Sequence, residues 1–189
     1  MEINWESQVL SSVSKVIPHL SCLEIDIEKL HESAINLSKK DFGINYEGNP
    51  NIVPVEYIRK TMLINTLNFV FTDFSTSVKY KIENLSDTDA MVYQIDKALL
   101  EGVPLTQGHY MRDMDLQEFK KIFTGNIEMP MADEKVKILN NVGDTLVTKY
   151  GGDWINFIDD GPKKLYDNGE GLVERLIRDF KRFDDYSIF

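Results

Sequence analysis

Apolar residues recur every three or four positions along most of this chain, and this spacing restricts the fold more than any other feature of the sequence. The clearest stripe runs through Leu172, Val173, Leu176, Ile177 and Phe180. Residues at this spacing lie on one face of an amphipathic α-helix. Because the pattern returns in several other segments, the sequence predicts an all-α fold of about seven to nine helices, in a single helical domain that covers residues 1–189.

Residues that favour helix termini mark the ends of two further predicted helices. Ser86 precedes one apolar stripe, and serine is a favoured N-cap residue. Another stripe ends at Tyr150 and is followed by Gly151, which accepts the positive φ of a helix C-cap. Strand-like alternation occurs only at residues 77–82, where we predict a short strand or an extended link.

The most apolar stretch, LINTLNFVFTDF, contains two asparagines, Asn65 and Asn68. A helix that is apolar nearly all round is a central, buried helix, and we expect such a helix over residues 55–71. Buried amides need hydrogen-bond partners, since an unpaired one costs roughly 1–3 kcal/mol. Two interpretations stay open. The asparagines satisfy neighbouring backbone groups, which the composition favours, or they line a cavity for a planar polar ligand together with the two nearest phenylalanines.

The chain has 189 residues and a net charge of -10, and this acidity narrows the classes of partner. An acidic surface repels phosphate backbones, so we expect no broad face for nucleic acid or anionic membranes. No apolar run reaches membrane-spanning length, and the first residues lack a signal-peptide pattern. Cys22 is the one cysteine, which excludes an intrachain disulfide. These features predict a cytoplasmic protein without membrane contact.

Metal-binding and phosphate-loop motifs are absent from the sequence. The three histidines are His19, His31 and His109, and none lies at a short ligand spacing from another histidine or from the cysteine. The paired glycines at residues 151–152 lack the lysine of a phosphate-binding loop. We therefore expect no metal and no cofactor.

Four tracts, met in the same order along the chain, resemble the queuosine salvage protein family. TLNFVF at residues 66–71 is similar to the family's TLNF-aromatic signature, and KALLEGVPLT at 97–106 is similar to its RAL-acid-EGIPIT tract. Residues 122–158 resemble a long tract with MPL, an ER pair, ILNE-x-G and FGG. FKRFDDYSIF at 180–189 resembles F-x-x-YRD-x-x-x-F. The resemblance covers the chain from about Ile17 to its last residue.

The resemblance implies an all-helical N-glycosylase, similar to the helical DNA glycosylases but without their nucleic-acid surface. Members of the family release queuine from queuosine 5'-phosphate, which implies a small nucleoside or nucleotide-like ligand. Hydrolysis at ribose C1′ needs a carboxylate that stabilises developing positive charge, and Asp185 matches the aspartate of the family's YRD motif. The resemblance assigns ligand contacts to Asn68, Phe69, Phe71, Glu101 and Tyr110.

Several departures from the family pattern bear on activity. Thr72 stands where the family has a tryptophan, and residues 87–89 read Asp-Thr-Asp in place of a Gly-Tyr-Trp tract. These changes remove aromatic surface on which a base can stack. Asp184 replaces the arginine that precedes the aspartate matched by Asp185. The family also continues well beyond the phenylalanine that matches Phe189, which is the last residue here.

These departures leave three hypotheses for the function. In the first, the chain is an N-glycosylase whose missing half is supplied by a second protein chain. In the second, which the lost aromatic rings favour, it is a catalytically inactive relative that acts as a small-ligand-binding or protein-interaction module. In the third, it is an enzyme that cleaves another N-glycoside by itself. A base-release assay and a search for a co-purifying chain separate the three.

Overall fold

The computed structural model of the protein describes residues 15–19, 26–38 and 55–183. Asp185, the catalytic residue that the resemblance assigns, lies outside these described residues, and so does its neighbour Asp184. The assignment of Asp185 therefore stays a prediction.

The chain divides into two compact units. The first comprises Met1–Val53 and Tyr186–Phe189. Its described part holds a 3₁₀ turn at Ile17–His19 and helix α1 at Ile27–Ser38. The second unit, Pro54–Asp185, contains every other described element and both candidate clefts.

The second unit is built mainly of α-helices. In chain order its described helices are α2 (Val55–Leu67), α3 (Asp87–Leu100), α4 (Gly108–Asp113), α5 (Leu116–Ile122), α6 (Ala132–Tyr150), α7 (Trp154–Asp159) and α8 (Leu172–Asp179), followed by a 3₁₀ turn at Lys181–Phe183. With α1, the described part of the chain holds eight α-helices, which confirms the predicted fold class. None of these described helices combines the length and the apolar character that crossing a membrane requires.

Two short antiparallel hairpins separate α2 from α3. Their strands are β1 (Thr72–Asp73), β2 (Val78–Lys79), β3 (Lys81–Ile82) and β4 (Leu85–Ser86), paired β1 with β2 and β3 with β4. Thr72 lies opposite Lys79 in the first pair, and Lys81 lies opposite Ser86 in the second. Tyr80 is fully buried between β2 and β3. The alternating segment therefore contains two strands, where the sequence predicted one strand or a link.

Both helix ends that the sequence marked are found at the expected residues. Ser86 is the N-cap of α3, although its side chain makes no capping hydrogen bond. Gly151 ends α6 in the left-handed conformation, with a φ of 60°, and the N–H of the next residue, Gly152, donates to the carbonyl of Leu146 at 2.9 Å. Glycine adopts this conformation without the clash that a Cβ causes.

The prediction of a buried helix over residues 55–71 was wrong in two respects. Helix α2 ends at Leu67, and the chain then turns away from the helix axis. Asn65 and Asn68 are both exposed, so neither amide carries the cost of burial that the sequence suggested. Asn65 Nδ2 donates to the carbonyl of Thr61 at 2.9 Å, one turn earlier in the helix.

Helix α6, the longest described helix, packs directly against α4. The close approach depends on Gly143 of α6, which faces α4 without a side chain. A Cβ at this position would lie 2.6 Å from the carbonyl oxygen of Gly108 and 2.8 Å from Cα of Arg112. These distances are too short for any side chain, so the spacing between the two helices requires glycine here.

An aromatic cluster closes the core where α6, α7 and α8 meet. The ring centroids of Trp154 and Phe180 lie 4.7 Å apart, and Tyr150 meets Phe157 edge-on at 5.1 Å. Phe180 follows α8 directly and is fully buried. The cluster therefore anchors the 3₁₀ turn that carries Arg182, one of the residues of the candidate site.

Candidate functional site

The chain turns sharply where α2 ends, and this turn forms one side of the candidate site. The N–H of Phe69 donates back to the carbonyl of Leu67 at 2.8 Å, and Val70 has a φ of 44°. A β-branched residue rarely adopts this left-handed region, and such strain collects at functional sites. Met131, directly before α6, has a φ of 57°. Both strained residues line the same cleft.

This first cleft has a volume of about 430 Å³ and lies between the turn after α2 and the start of α6. Its lining consists of Val70, residues 72–75 and residues 127–133. Two of its apolar side chains face solvent, since Phe74 is 80% exposed and Met131 is 46% exposed. The first cleft thus combines an exposed apolar edge with polar side chains of the same two segments.

Three carboxylates line the first cleft, and their surroundings differ. The Asp73 carboxylate accepts hydrogen bonds from the hydroxyl (2.7 Å) and the N–H (2.9 Å) of Ser75, which hold its pKa below the usual range. Glu128 is paired with Lys120 at 2.9 Å. The described residues contain no group of three or more His, Cys, Asp or Glu side chains that could hold a metal ion. No described residue forms a hydrogen bond or an ion pair with the Asp133 carboxylate. Asp133 is therefore available to a ligand.

Two cations meet at the Phe69 ring, next to Val70. Lys135 Nζ lies 3.6 Å from the ring centroid, and Arg182 Cζ lies 4.8 Å from it. Both distances are within the range of cation–π attraction. The side chain of Lys135 is fully buried, whereas Phe69 and Arg182 are half-buried. We refer to Phe69, Lys135 and Arg182 as the Phe69 cluster.

The Phe69 cluster also holds the end of α2 in place. Lys135 Nζ donates to the carbonyl oxygens of Leu67 (3.3 Å) and Phe69, which lie at and beyond the last turn of the helix, where carbonyls lack helical donors. Arg182 Nε donates to the carbonyl of Thr66 at 3.1 Å. Burial, and after it the charge of Arg182, lowers the pKa of Lys135 to about 7. Two side chains from distant parts of the sequence thus fix the strained turn.

The predicted ligand contacts that follow α2 have different environments. Asn68 is exposed, and its Oδ1 accepts a hydrogen bond from Thr88 Oγ1 at 2.7 Å. Phe69 belongs to the Phe69 cluster. Phe71 is only 8% exposed and lies in the core, with its ring centroid 5.0 Å from Lys135 Nζ. The structure therefore brings Phe69 and Phe71 together around one ammonium group and leaves Asn68 on the surface.

The other two predicted contacts, Glu101 and Tyr110, line a second cleft of about 400 Å³. This second cleft shares no lining residue with the first. Tyr110 donates its hydroxyl hydrogen to Glu118 Oε1, and the pKa of Tyr110 is raised by burial and by this carboxylate. Lys97 and Lys121 also line the second cleft. The five predicted contacts thus fall into two groups.

Sequence reasoning missed Lys135, Arg182 and Asp133. A signal for Lys135 was present, because it lies four residues before Leu139 on the face of α6 that also carries Val142. A charged residue on an otherwise apolar helix face is unusual and indicates a buried partner. Arg182 and Asp133 carry no such signal, since a charge in a helix end or a short turn is ordinary.

Comparison with known proteins gives relatives for most of the sequence. The family model described as queuosine salvage protein matches residues 49–189. A protein of Mus musculus is 25% identical over 150 residues, which cover 76% of this chain and 43% of that protein. A protein of Schizosaccharomyces pombe is 25% identical over 161 residues, which cover 77% of this chain and 45% of that protein.

A shorter match reaches higher identity. A protein of Sphaerobacter thermophilus is 33% identical over 63 residues, which cover 33% of this chain and 20% of that protein. All three relatives carry the name queuosine 5'-phosphate N-glycosylase/hydrolase. This chain spans less than half the length of the relatives that it matches.

Proposed function

This chain belongs to the queuosine salvage protein family, and we propose that it binds queuosine 5'-phosphate in the first cleft and hydrolyses the bond between its ribose C1′ and its 7-deazaguanine base. The observation that carries the proposal is the convergence of two strained residues, Val70 and Met131, on one cleft that also holds a carboxylate without a hydrogen bond or close ion pair to any described residue. The names of the relatives support the substrate and the reaction.

The chemistry asks for a carboxylate near C1′. As the bond to the base breaks, positive charge develops on the ribose, and an ionised carboxylate stabilises it or orients the attacking water. Water supplies a hydroxyl group to C1′ and a proton to the departing base, so the products are ribose 5-phosphate and queuine. We assign the carboxylate to Asp133, which lines the first cleft. Asp185, which the family resemblance favours, is the second candidate.

The remaining predicted contacts have distinct parts in this proposal. Phe69 offers a half-buried ring beside the first cleft, and Asn68 offers an exposed amide one residue earlier. Phe71 supports the Phe69 cluster from the core. Glu101 and Tyr110 stay predicted ligand contacts, which a ligand portion in the second cleft would meet.

A second candidate function is binding without cleavage. It is favoured by Thr72, which lines the first cleft with a small hydroxyl side chain where the resemblance implies tryptophan. Base stacking on an aromatic ring is worth about 1–3 kcal/mol, so the ligand is held more loosely than in a cleft that carries the tryptophan. An inactive relative of this kind binds the nucleotide and releases no queuine.

The ligand class, the cellular location and the partners of the protein belong to the same proposal. A nucleotide-like ligand is suggested by the family itself. We propose that the protein acts in the cytoplasm on this small ligand rather than on nucleic acid, because a net charge of -10 repels a phosphate backbone.

A second protein chain that contacts the exposed Phe74 and Met131 is a further proposal, supported by the apolar edge of the first cleft. Light scattering of the purified protein tests for it.

One pair of measurements tests the function. Incubation with queuosine 5'-phosphate, followed by mass spectrometry for free queuine, reports cleavage, and isothermal titration calorimetry reports binding. We expect Asp133→Asn to retain binding and to slow release at least a hundredfold. Asp144→Asn, an exposed position on the same helix, is the matched control. Binding without release supports the second candidate, and no binding contradicts both.

A further inference from the structure

No carboxylate of the described residues balances the charges of the Phe69 cluster. The chain carries 31 acidic and 21 basic residues, so most buried or half-buried cations in it have carboxylates to pair with. Neither Lys135 nor Arg182 forms an ion pair with a carboxylate of any described residue. Both nevertheless approach the same ring.

Two cations that lack a carboxylate partner among the described residues raise the local electrostatic potential. Taking an ammonium out of water costs free energy unless a counter-charge or several hydrogen bonds replace the lost hydration. Lys135 is fully buried and has two backbone carbonyl acceptors but no counter-charge among the described residues, and the positive charge of Arg182 further lowers its pKa. The arrangement is therefore more favourable when an anion lies close to both groups. The cluster has the electrostatics of a site for a negatively charged group.

Arg182 has the donors to bind such a group directly. Its Nε donates a hydrogen bond to the carbonyl of Thr66, and this bond orients the guanidinium. Both Nη atoms are without a hydrogen bond to any described residue, and Arg182 is only half-buried. The planar fork of a guanidinium matches the oxygens of a phosphate or a carboxylate.

We propose that the Phe69 cluster is an oxyanion site that takes a phosphate monoester through the Nη groups of Arg182, with Lys135 supplying additional positive charge. Phe69 immediately precedes Val70, which lines the first cleft. The identification of the anion as the 5′-phosphate of a nucleotide bound there rests on the proposed function. The oxyanion site itself is independent of the proposed function.

The first test uses inorganic phosphate and the full chain. Phosphate is titrated at constant ionic strength and binding is followed by calorimetry and by thermal unfolding. We expect Arg182→Met to weaken phosphate binding at least tenfold and Arg182→Lys, which keeps the charge but loses the planar fork, to weaken it less. Arg178→Met removes an exposed arginine of α8 that pairs with Glu170, and we expect it to bind phosphate within twofold of the wild type.

Two outcomes overturn the proposal: wild-type protein that does not bind phosphate, or equal binding by Arg182→Met. If Arg182→Met does not fold, Arg182→Lys decides by itself, because unaltered affinity in that variant excludes recognition through the fork. The acidic residues that follow Arg182 in the sequence, Asp184 and Asp185, are an internal alternative. Phosphate binding that appears only in the double variant Asp184→Asn/Asp185→Asn would show that these carboxylates occupy the site, and would also overturn the proposal.

The second test compares queuosine 5'-phosphate with queuosine. We expect the wild type to prefer the phosphorylated ligand at least tenfold and Arg182→Met to bind both alike. If neither nucleoside ligand binds while inorganic phosphate binds in an Arg182-dependent way, the proposed function fails and the oxyanion site stands. If both ligands bind equally well to the wild type, the oxyanion site does not bind the 5′-phosphate of the nucleotide. The proposal that it acts together with the first cleft is then refuted.

Discussion

Arg59 and Asp153, which are 94 residues apart in sequence, form a bidentate ion pair that joins α2 to the start of α7. Arg59 Nε donates to Asp153 Oδ1 at 3.0 Å, and Nη2 donates to Oδ2. Asp153 Oδ1 also accepts from the N–H of Ile155 at 3.0 Å and so caps α7. Both side chains are only 29% exposed. One carboxylate thus holds two helices, and its loss affects both.

Asp153→Ala tests this coupling. The variant loses a helix cap and leaves a partly buried guanidinium without its partner, so we expect the free energy of unfolding to fall by about 1–3 kcal/mol. Urea denaturation measures it. The matched control is Asp159→Ala, which removes an exposed ion pair with Lys163 and should cost less than about 0.5 kcal/mol. An equal decrease in the free energy of unfolding of the two variants would contradict the role of Asp153 in joining two helices.

The ion pair also gives stability a dependence on pH in acid. The hydrogen bonds from Arg59 hold the pKa of Asp153 below its ordinary value of 3.8. Because the folded pKa is the lower one, the unfolded chain binds the proton first, so the contribution is complete above the unfolded pKa and is lost as pH falls through the folded pKa. We expect the stability difference between the wild type and Asp153→Asn to shrink as pH falls below about 4. Denaturation at several acidic pH values measures the difference, and a constant difference would contradict the assignment.

Lys135 gives stability the same direction of pH dependence, but in the basic range. Its pKa is about 7 in the folded protein against an ordinary value of 10.5. Between these two values the unfolded chain binds the extra proton, so the free energy of unfolding rises with pH over this interval. We expect Lys135→Met to remove this part of the rise. Denaturant titrations of both proteins between pH 6 and 10 check it, and parallel curves would show that Lys135 keeps an ordinary pKa.

Gly143→Ala tests the contact between α4 and α6. A Cβ at this position would lie 2.6 Å from the Gly108 carbonyl oxygen, so α4 must move away from α6. We expect a loss of about 1–3 kcal/mol or more, as for other overpacked interiors. Asn141→Ala, at an exposed position of the same helix, should change stability little. Thermal unfolding of both variants measures the contrast, and a Gly143→Ala protein as stable as the wild type would show that the helices are less closely packed.

Thr72→Trp tests the lost stacking surface. The new ring would lie in the first cleft, where we expect it to tighten binding of queuosine 5'-phosphate by about 1–3 kcal/mol, which is roughly fivefold to 150-fold. Lys137→Trp adds the same ring at an exposed position outside the first cleft and should leave affinity unchanged. Calorimetry measures both. Tighter binding without queuine release would favour the inactive relative, and unchanged affinity in Thr72→Trp would place the base elsewhere.

Much of the helical framework was predictable because helix formation depends mainly on residues that are close together in the sequence. The stripe that ends at Tyr150 and the glycine that follows it predicted the end of α6, and the structure has Gly151 at that C-cap. Ser86 likewise precedes α3. The family was predictable too, since ordered tracts such as TLNFVF depend on residue identity and not on distance in space. The candidate site was predictable only in part: Phe69 was named, whereas its two cationic neighbours were not.

The sequence by itself determined the helical class, two of the helix ends and the family, because local backbone preferences and motif order need no knowledge of distant contacts. Only the tertiary structure decided where α2 stops and what surrounds Phe69. Apolar spacing continues past Leu67, yet the helix ends there, and Lys135 and Arg182, 68 and 116 residues away from their carbonyl partners, hold the backbone at that end. Such long-range hydrogen bonds and cation–π contacts outweigh the local helical preference of a few residues, and the residues around Leu67 do not indicate which distant side chains supply them.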